Sequence, residues 1–222
     1  MSWIVDGVLP FANGVVGTLV PVRFEAYGRI LHPAWRADGS AIRWDAVAAW
    51  SGRTVHSLAE FVQVASPNHG ASDPAPYVQP PREGALPRDA ITALKDVLRE
   101  HTTTPDECFV GIWEGFGWIE PERVRAPRLR LPQRTHLVFE GPLDVLDHVG
   151  WVGFDGRLVH EAPSVIWPAD RAWFVATDVD QESTYVGATQ TLINALVADS
   201  RLEVWPASPA DPITAGSDTI NR

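Results

Sequence analysis

Residues 22–31 alternate: Val22, Phe24, Ala26, Gly28 and Ile30 fall on one side, and Arg23, Glu25, Tyr27, Arg29 and Leu31 on the other. This two-residue period predicts a strand with one polar face, ended by His32-Pro33. Helical spacing follows in residues 42–50 (Ile42, Val47, Trp50) and 57–64 (Leu58, Phe61, Val62), predicting two short helices divided by Ser51-Gly52. The clearest helical stripe is Leu86, Ala90, Ile91, Leu94, Val97 and Leu98, one face of a helix over residues 87–101. Thr102-Thr103-Thr104-Pro105 stops it, because the residue before proline is driven out of the helical region. Residues 108–113 read as an apolar strand followed by the turn Glu114-Gly115-Phe116-Gly117. Residues 136–139 read as another strand, and Gly141-Pro142 opens a short helix over 143–148. The last unit is a strand at 172–177, a polar loop, a helix at 188–199 and a strand at 202–205, an order and length that suit a crossover onto one sheet.

Residues 66–87 carry Pro67, Pro74, Pro76, Pro80, Pro81 and Pro87 around Asn68-His69-Gly70. That density forbids a helix and leaves few amide donors for a sheet, so the segment reads as a long loop. Residues 123–134 interleave Arg123, Arg125, Arg128, Arg130 and Arg134 with prolines and read as an extended, solvated connector; Lys95 falls on a helix face that looks exposed. No repeat of fixed period occurs. The pattern predicts an α+β fold, a mainly antiparallel sheet with helices packed on one face, formed by a single domain over residues 1–208. Residues 209–222 are small and polar and are expected to form a disordered tail.

The 222 residues are 45% hydrophobic and 21% charged, enough apolar surface for a substantial core. A formal charge of −10 repels phosphate backbones and argues against a nucleic-acid partner. The single Cys excludes an intramolecular disulfide and a cysteine-based zinc cluster, which suits a reducing compartment. The first residues lack the basic region and apolar core of a signal peptide, and no apolar run reaches the length of a membrane span. The expectation is a cytoplasmic protein with no membrane partner.

The usual catalytic constellations are missing. No two of the seven His stand at His-x-x-x-His spacing, no Gly-x-Ser-x-Gly elbow occurs, and the phosphate-cradling Gly-x-x-x-x-Gly-Lys-Ser/Thr is absent. Cys108 enters an apolar strand, where a thiol is inert packing. Neither a metal nor a cofactor is expected. The richest stretch is residues 167–187, where an apolar run empties into alternating carboxylates. Trp167, Asp170, Arg171 and Trp173 form one candidate group, with Asp170 pairing Arg171 across a turn and the guanidinium able to stack on either indole. Asp178, Asp180 and Tyr185 form a second. The spacing of Asp178 and Asp180 recurs in cation-binding transferases, but no glycine-rich strand-to-helix turn stands upstream, and an EF-hand reading fails at Ser183 and Thr189. The simpler assignment is a polar loop that caps the following helix.

Phe24-Glu25-Ala26-Tyr27-Gly28-Arg29-Ile30-Leu31-His32-Pro33, His101-Thr102-Thr103-Thr104-Pro105-Asp106, Trp113-Glu114-Gly115, Leu131-Pro132-Gln133-Arg134, Phe139-Glu140-Gly141-Pro142, Trp167-Pro168-Ala169-Asp170-Arg171-Ala172-Trp173, Thr177-Asp178-Val179-Asp180 and Tyr185-Val186-Gly187 together resemble a family of uncharacterised actinobacterial proteins. The resemblance spans most of the chain and implies one family-wide unit, but it supplies no activity. Ala188 and Thr135-His136 depart from it where a second glycine and a tyrosine are expected, at two turns.

Aromatic and Arg-rich surface without catalytic motifs points first to a non-enzymatic protein that binds another protein, in an immunity-like or regulatory role. The rival reading is a small-molecule or cation-dependent enzyme or binder, built on an acidic-aromatic cleft around Asp178, Asp180, Tyr185 and Arg171.

Overall fold

The computed structural model describes residues 1–68, 73–120 and 124–222. Twelve strands are formed among them, eight in one sheet. In chain order the strands are β1 (Ala26–Leu31), β2 (Ala34–Trp35), β3 (Ala41–Ile42), β4 (Cys108–Trp113), β5 (Arg128–Arg130), β6 (Thr135–Gly141), β7 (Gly150–Val152), β8 (Leu158–His160), β9 (Val165–Pro168), β10 (Phe174–Ala176), β11 (Ser183–Ala188) and β12 (Val204–Ala207). The helices are α1 (Ser2–Val5), α2 (Trp44–Ser51), α3 (Phe61–Val64), α4 (Arg88–Glu100) and α5 (Gln190–Ala198). The large sheet runs β12-β1-β11-β10-β9-β4-β6-β5 with every neighbouring pair antiparallel, and β2-β3 and β7-β8 form separate two-stranded ribbons. The chain is therefore α+β with a mainly antiparallel sheet, as the alternating and helical stretches of the sequence imply.

Each face of the sheet buries its own core. On one face α4 and α5 lay Leu94, Leu98, Ile193 and Leu196 over Ile30, Val110, Ile166, Val175 and Val186. On the other, Ile4 of α1 and Val16 and Val20 of the N-terminal segment pack against Tyr27, Val138, Val165, Trp167, Phe174 and Tyr185. A third cluster joins α2 and α3 to the end of β1 through Leu31, Trp44, Val47, Phe61 and Val64. Alternation along each strand divides its side chains between these environments.

Strand β11 is the main departure from the sequence reading, which placed a polar loop there. Ser183, Thr184, Tyr185, Val186, Gly187 and Ala188 are all buried, and β11 sits in the interior of the sheet between β1 and β10. A strand covered on both faces loses the apolar-polar alternation that reveals half-buried strands. Its Ser and Thr hydroxyls are satisfied internally: Ser183 Oγ accepts from Arg29 Nε at 2.9 Å, Thr184 and Thr177 hydroxyls are 2.7 Å apart, and His32 Nε2 lies 2.9 Å from Thr184 Oγ1. Gly187 is needed for close approach, since a Cβ there would meet the Phe24 ring at 2.5 Å and Val20 at 2.7 Å. The crossover exists but starts from β11: α5 carries the chain from β11 to β12, and these two parallel strands flank β1. The N-cap of α5 is Thr189, whose hydroxyl accepts from the Leu192 amide at 3.3 Å; Asp178, Asp180, Ser183 and Thr184 do not cap it.

Other expectations also change. Residues 22–25 precede β1 rather than belonging to it. Lys95 is buried, because Asp147 and Asp144 accept from its ammonium at 2.5 and 3.2 Å. The Pro-rich stretch of residues 66–87 is pinned in its second half by the Trp35 amide to Gln79 O (2.9 Å), the Gly84 amide to Gln181 O (2.9 Å) and His32 Nδ1 to Arg82 O (2.7 Å). His69 and Gly70 lie outside the described residues, as does Arg123. The tail expected to be disordered is packed: Asp218 and Asn221 are 1% and 2% exposed, and the Val16 amide donates to Asp211 O. Apart from Ile213, which packs on the second core, polar residues hold it, so composition does not signal its burial.

Candidate functional site

Antiparallel pairing sets two adjacent rows of side chains across the sheet face opposite α4 and α5. One row runs Arg29, Tyr185, Ala176, Val165, Gly111 and Val138; the next runs Tyr27, Gly187, Phe174, Trp167, Phe109 and Glu140. The first row opens at its β1 end into a pocket of about 310 Å³, and the second underlies an apolar pocket of about 380 Å³.

The first pocket is lined by Arg29, Glu60, Glu83, Asp180, Glu182 and Tyr185, with Gln181 and the segment 212–217 closing one side. Arg29 is fixed by donation to Ser183 Oγ and the Ser57 carbonyl, both at 2.9 Å, and lies over the Trp44 ring. Ser217 ties the closing segment to Glu60, its amide donating to Glu60 Oε1 at 2.6 Å, and Gln181 Nε2 donates to Ile213 O at 3.1 Å. Burial, reinforced by the Glu83 charge, pushes the Glu182 carboxyl up to about 7. Neither Glu83 nor Glu182 forms an ion pair with the described residues. Tyr185 is 3% exposed, yet its hydroxyl makes no hydrogen bond within the described residues and is not sealed from the pocket it lines. Burial raises its titration point further. A phenol this deeply placed normally has a partner, whereas this one opens onto a polar pocket.

The residues singled out from the sequence scatter over the fold. Asp178 and Asp180 both hold Arg134, Asp178 by a two-point contact at 2.8 and 3.0 Å and Asp180 at 2.7 Å. Burial acts to raise the Asp178 carboxyl, and Arg134 outweighs it, leaving it below the usual range. Only Asp180 and Tyr185 of this group face the acidic pocket; the cation there is Arg29, and Arg171 stands elsewhere. Trp167 and Trp173 bury on opposite faces of the sheet, Trp173 with its indole N–H donating to Leu98 O at 3.1 Å. Asp170 makes no ion pair with Arg171. It accepts instead from the Thr103 amide at 2.7 Å, the Thr102 and Thr103 hydroxyls and the Ala172 amide, pinning the turn after α4. Arg171 stacks on Trp3, 5.6 Å from the ring centre, rather than on either neighbouring indole.

The sequence reading did not single out Arg29, Glu60 or Glu83 as site residues, whereas Glu182 is the third of the alternating carboxylates that begin at Asp178. Arg29 left a trace as a charged residue on the polar side of an alternating strand; the three Glu come from separate loops that only the fold brings together. Among the described residues no three His, Cys, Asp or Glu are close enough to hold one metal ion, and no helix is long and apolar enough to cross a membrane. Comparison with protein-family models, with curated proteins and with solved structures finds no match.

Proposed function

We propose that the protein binds a small, extended amine of the polyamine class in the pocket between Arg29, Glu60, Glu83, Glu182 and Tyr185. The unpartnered Tyr185 hydroxyl opening into that pocket is the observation that carries the reading. The charge pattern selects the ligand class. Arg134 offsets Asp180, which leaves Glu60, Glu83 and Glu182 against the single pinned cation of Arg29. The Glu83 charge adds to the cost of ionising Glu182, and a cation beside Glu182 relieves that cost. The carboxylates are too dispersed for one metal ion to gather three of them, so a chain bearing separated ammonium groups fits them better than a divalent cation does. This is the small-molecule reading of the sequence with Arg29 in place of Arg171 and without a cation cofactor.

Calorimetric titration with spermidine tests it. Saturable binding is expected, with Tyr185→Phe weakening it by about tenfold through loss of one hydrogen bond to a charged group. Magnesium at the same concentration is expected to give no saturable heat. Absence of spermidine binding, or equal affinity in Tyr185→Phe, would contradict the assignment.

One observation favours the protein-binding reading as a second function. The β7-β8 ribbon stands outside the main sheet and exposes Trp151, Val152, Phe154, Leu158 and Val159, with Phe154 fully exposed and Val152 at 69%. Exposed apolar side chains concentrated in one short ribbon mark a contact surface. Phe154→Ser together with Val152→Ser is expected to leave the melting temperature unchanged while lowering the binding of a hydrophobic dye; a large fall in melting temperature would instead make these residues part of the fold.

A further inference from the structure

The second pocket on the sheet face carries an independent inference. Its floor is the cross-strand row Trp167 and Phe109, stacked 5.4 Å apart with planes within 16°, and its walls include Trp3 and Val138. Two charged side chains of opposite sign, Arg171 and Glu140, line this apolar space. Both are exposed, and they do not pair with one another or with any other charged residue described. Arg171 is also the one described residue other than glycine held at positive φ, +59°, a conformation that a side chain strains to adopt. The turn is closed by donation from the Arg171 amide to Pro168 O at 3.0 Å and by the hydrogen bonds of Asp170. Holding Trp3 in place does not require Arg171, since Arg23 already covers that ring at 5.2 Å. Strain is thus retained at a position whose guanidinium pairs with no carboxylate among the described residues and borders a pocket of about 380 Å³.

We propose that this pocket binds a free aromatic α-amino acid, its ring on the Trp3, Phe109 and Trp167 surface, its carboxylate on Arg171 and its ammonium on Glu140. Charge complementarity selects this occupant: a purely apolar ligand leaves both charges unused, whereas a zwitterion offers each a counter-charge. The volume suits one ring with its amino-acid head. Planar guanidinium-carboxylate pairing and ring stacking are the interactions these side chains make best.

The test is calorimetric titration of the full chain with L-phenylalanine, and with two truncated analogues, 3-phenylpropionate (no ammonium) and phenethylamine (no carboxylate). Arg171→Gly is the decisive variant because glycine accepts φ +59° without strain, so the fold is kept or stabilised while the guanidinium is lost. Saturable phenylalanine binding is expected, weakened about tenfold or more in Arg171→Gly and in Glu140→Gln, with both analogues weaker than phenylalanine by a similar factor. The assignment is overturned if phenylalanine does not saturate, if Arg171→Gly binds it as well as the native chain while keeping its melting temperature, or if either analogue binds equally well.

Discussion

Replacing Asp218 by Ala is expected to cost about 3 kcal/mol of stability, because a buried carboxylate that accepts several hydrogen bonds leaves all of its donors stranded when removed. Its side chain is fully buried. It accepts from the Asn221 amide at 2.9 Å and side chain at 2.8 Å, from the Ile220 amide at 3.0 Å and from His56 Nε2 at 3.0 Å. Burial alone would raise the carboxyl; the Asn221 side chain and amide outweigh it, with His56, and hold the group far below the usual range. A carboxyl depressed in the folded state contributes stability above its unfolded value of 3.8, and that stability is lost as the pH falls below it. The loss in Asp218→Ala therefore appears in full at pH 7, as a lower denaturant midpoint. Since Asp218 anchors the segment 212–217 that walls the acidic pocket, the same variant is expected to expose residues 209–222 to proteases and to weaken amine binding. An unchanged midpoint with a protease-resistant tail would show that this anchor contributes nothing.

Acidification is expected to destabilise the native chain by a net amount on the order of 3 kcal/mol between pH 7 and pH 4, the outcome of two opposed effects. His32 and His136 are 0% and 3% exposed, and burial pulls both down to about 4 from 6.5. Groups depressed in this way stabilise the fold above pH 6.5, and that contribution is lost as the pH falls through 4. Glu182 acts oppositely: its carboxyl is raised from 4.5 to about 7, so its contribution is fully present below pH 4.5 and is lost as the pH rises through 7. Two histidines outweigh one carboxyl. Glu182→Gln is accordingly expected to gain on the order of 1 to 2 kcal/mol at pH 8 after allowance for partial solvent screening, and to steepen the loss toward pH 4. Denaturant midpoints at pH 4, 5, 6, 7 and 8 for both chains check this; a native chain that gains stability toward pH 4, or a variant weaker than it at pH 8, would reverse the assignment of these groups.

How much of this was legible beforehand differs by kind of residue. The stripe Ile91, Leu94 and Leu98 identified α4 because one face of that helix is buried and the other wet. Strand β4 matched its apolar run over Cys108–Trp113. Strand β11 stayed hidden because Ser183 and Thr184 look soluble in isolation and become buried only by bonding inside the sheet. The same holds for residues 217–221, whose burial depends on hydrogen bonds to Thr54, His56 and Glu60 far away in sequence. Of the candidate residues, Trp167 and Arg171 meet at one pocket and Asp180 and Tyr185 line another, whereas Asp170 and Trp173 hold a turn and a core. Composition located the chemistry in residues 167–187, but the pairing of β1 with β11, which sets Arg29 beside Tyr185, has no local signature.

Proton release on ligand binding addresses the acidic pocket most directly. An ammonium placed beside Glu182 favours its ionised form, so a carboxyl poised at about 7 must shed part of a proton when a polyamine enters. Titrating spermidine at pH 7 in buffers of different ionisation enthalpy reads that release as a slope of observed heat. The slope is expected to correspond to a fraction of one proton released per amine bound, and to shrink toward the ligand's own contribution in Glu182→Gln. Binding whose heat has the same buffer dependence in both chains would place the amine away from Glu182 and contradict the assignment of this pocket.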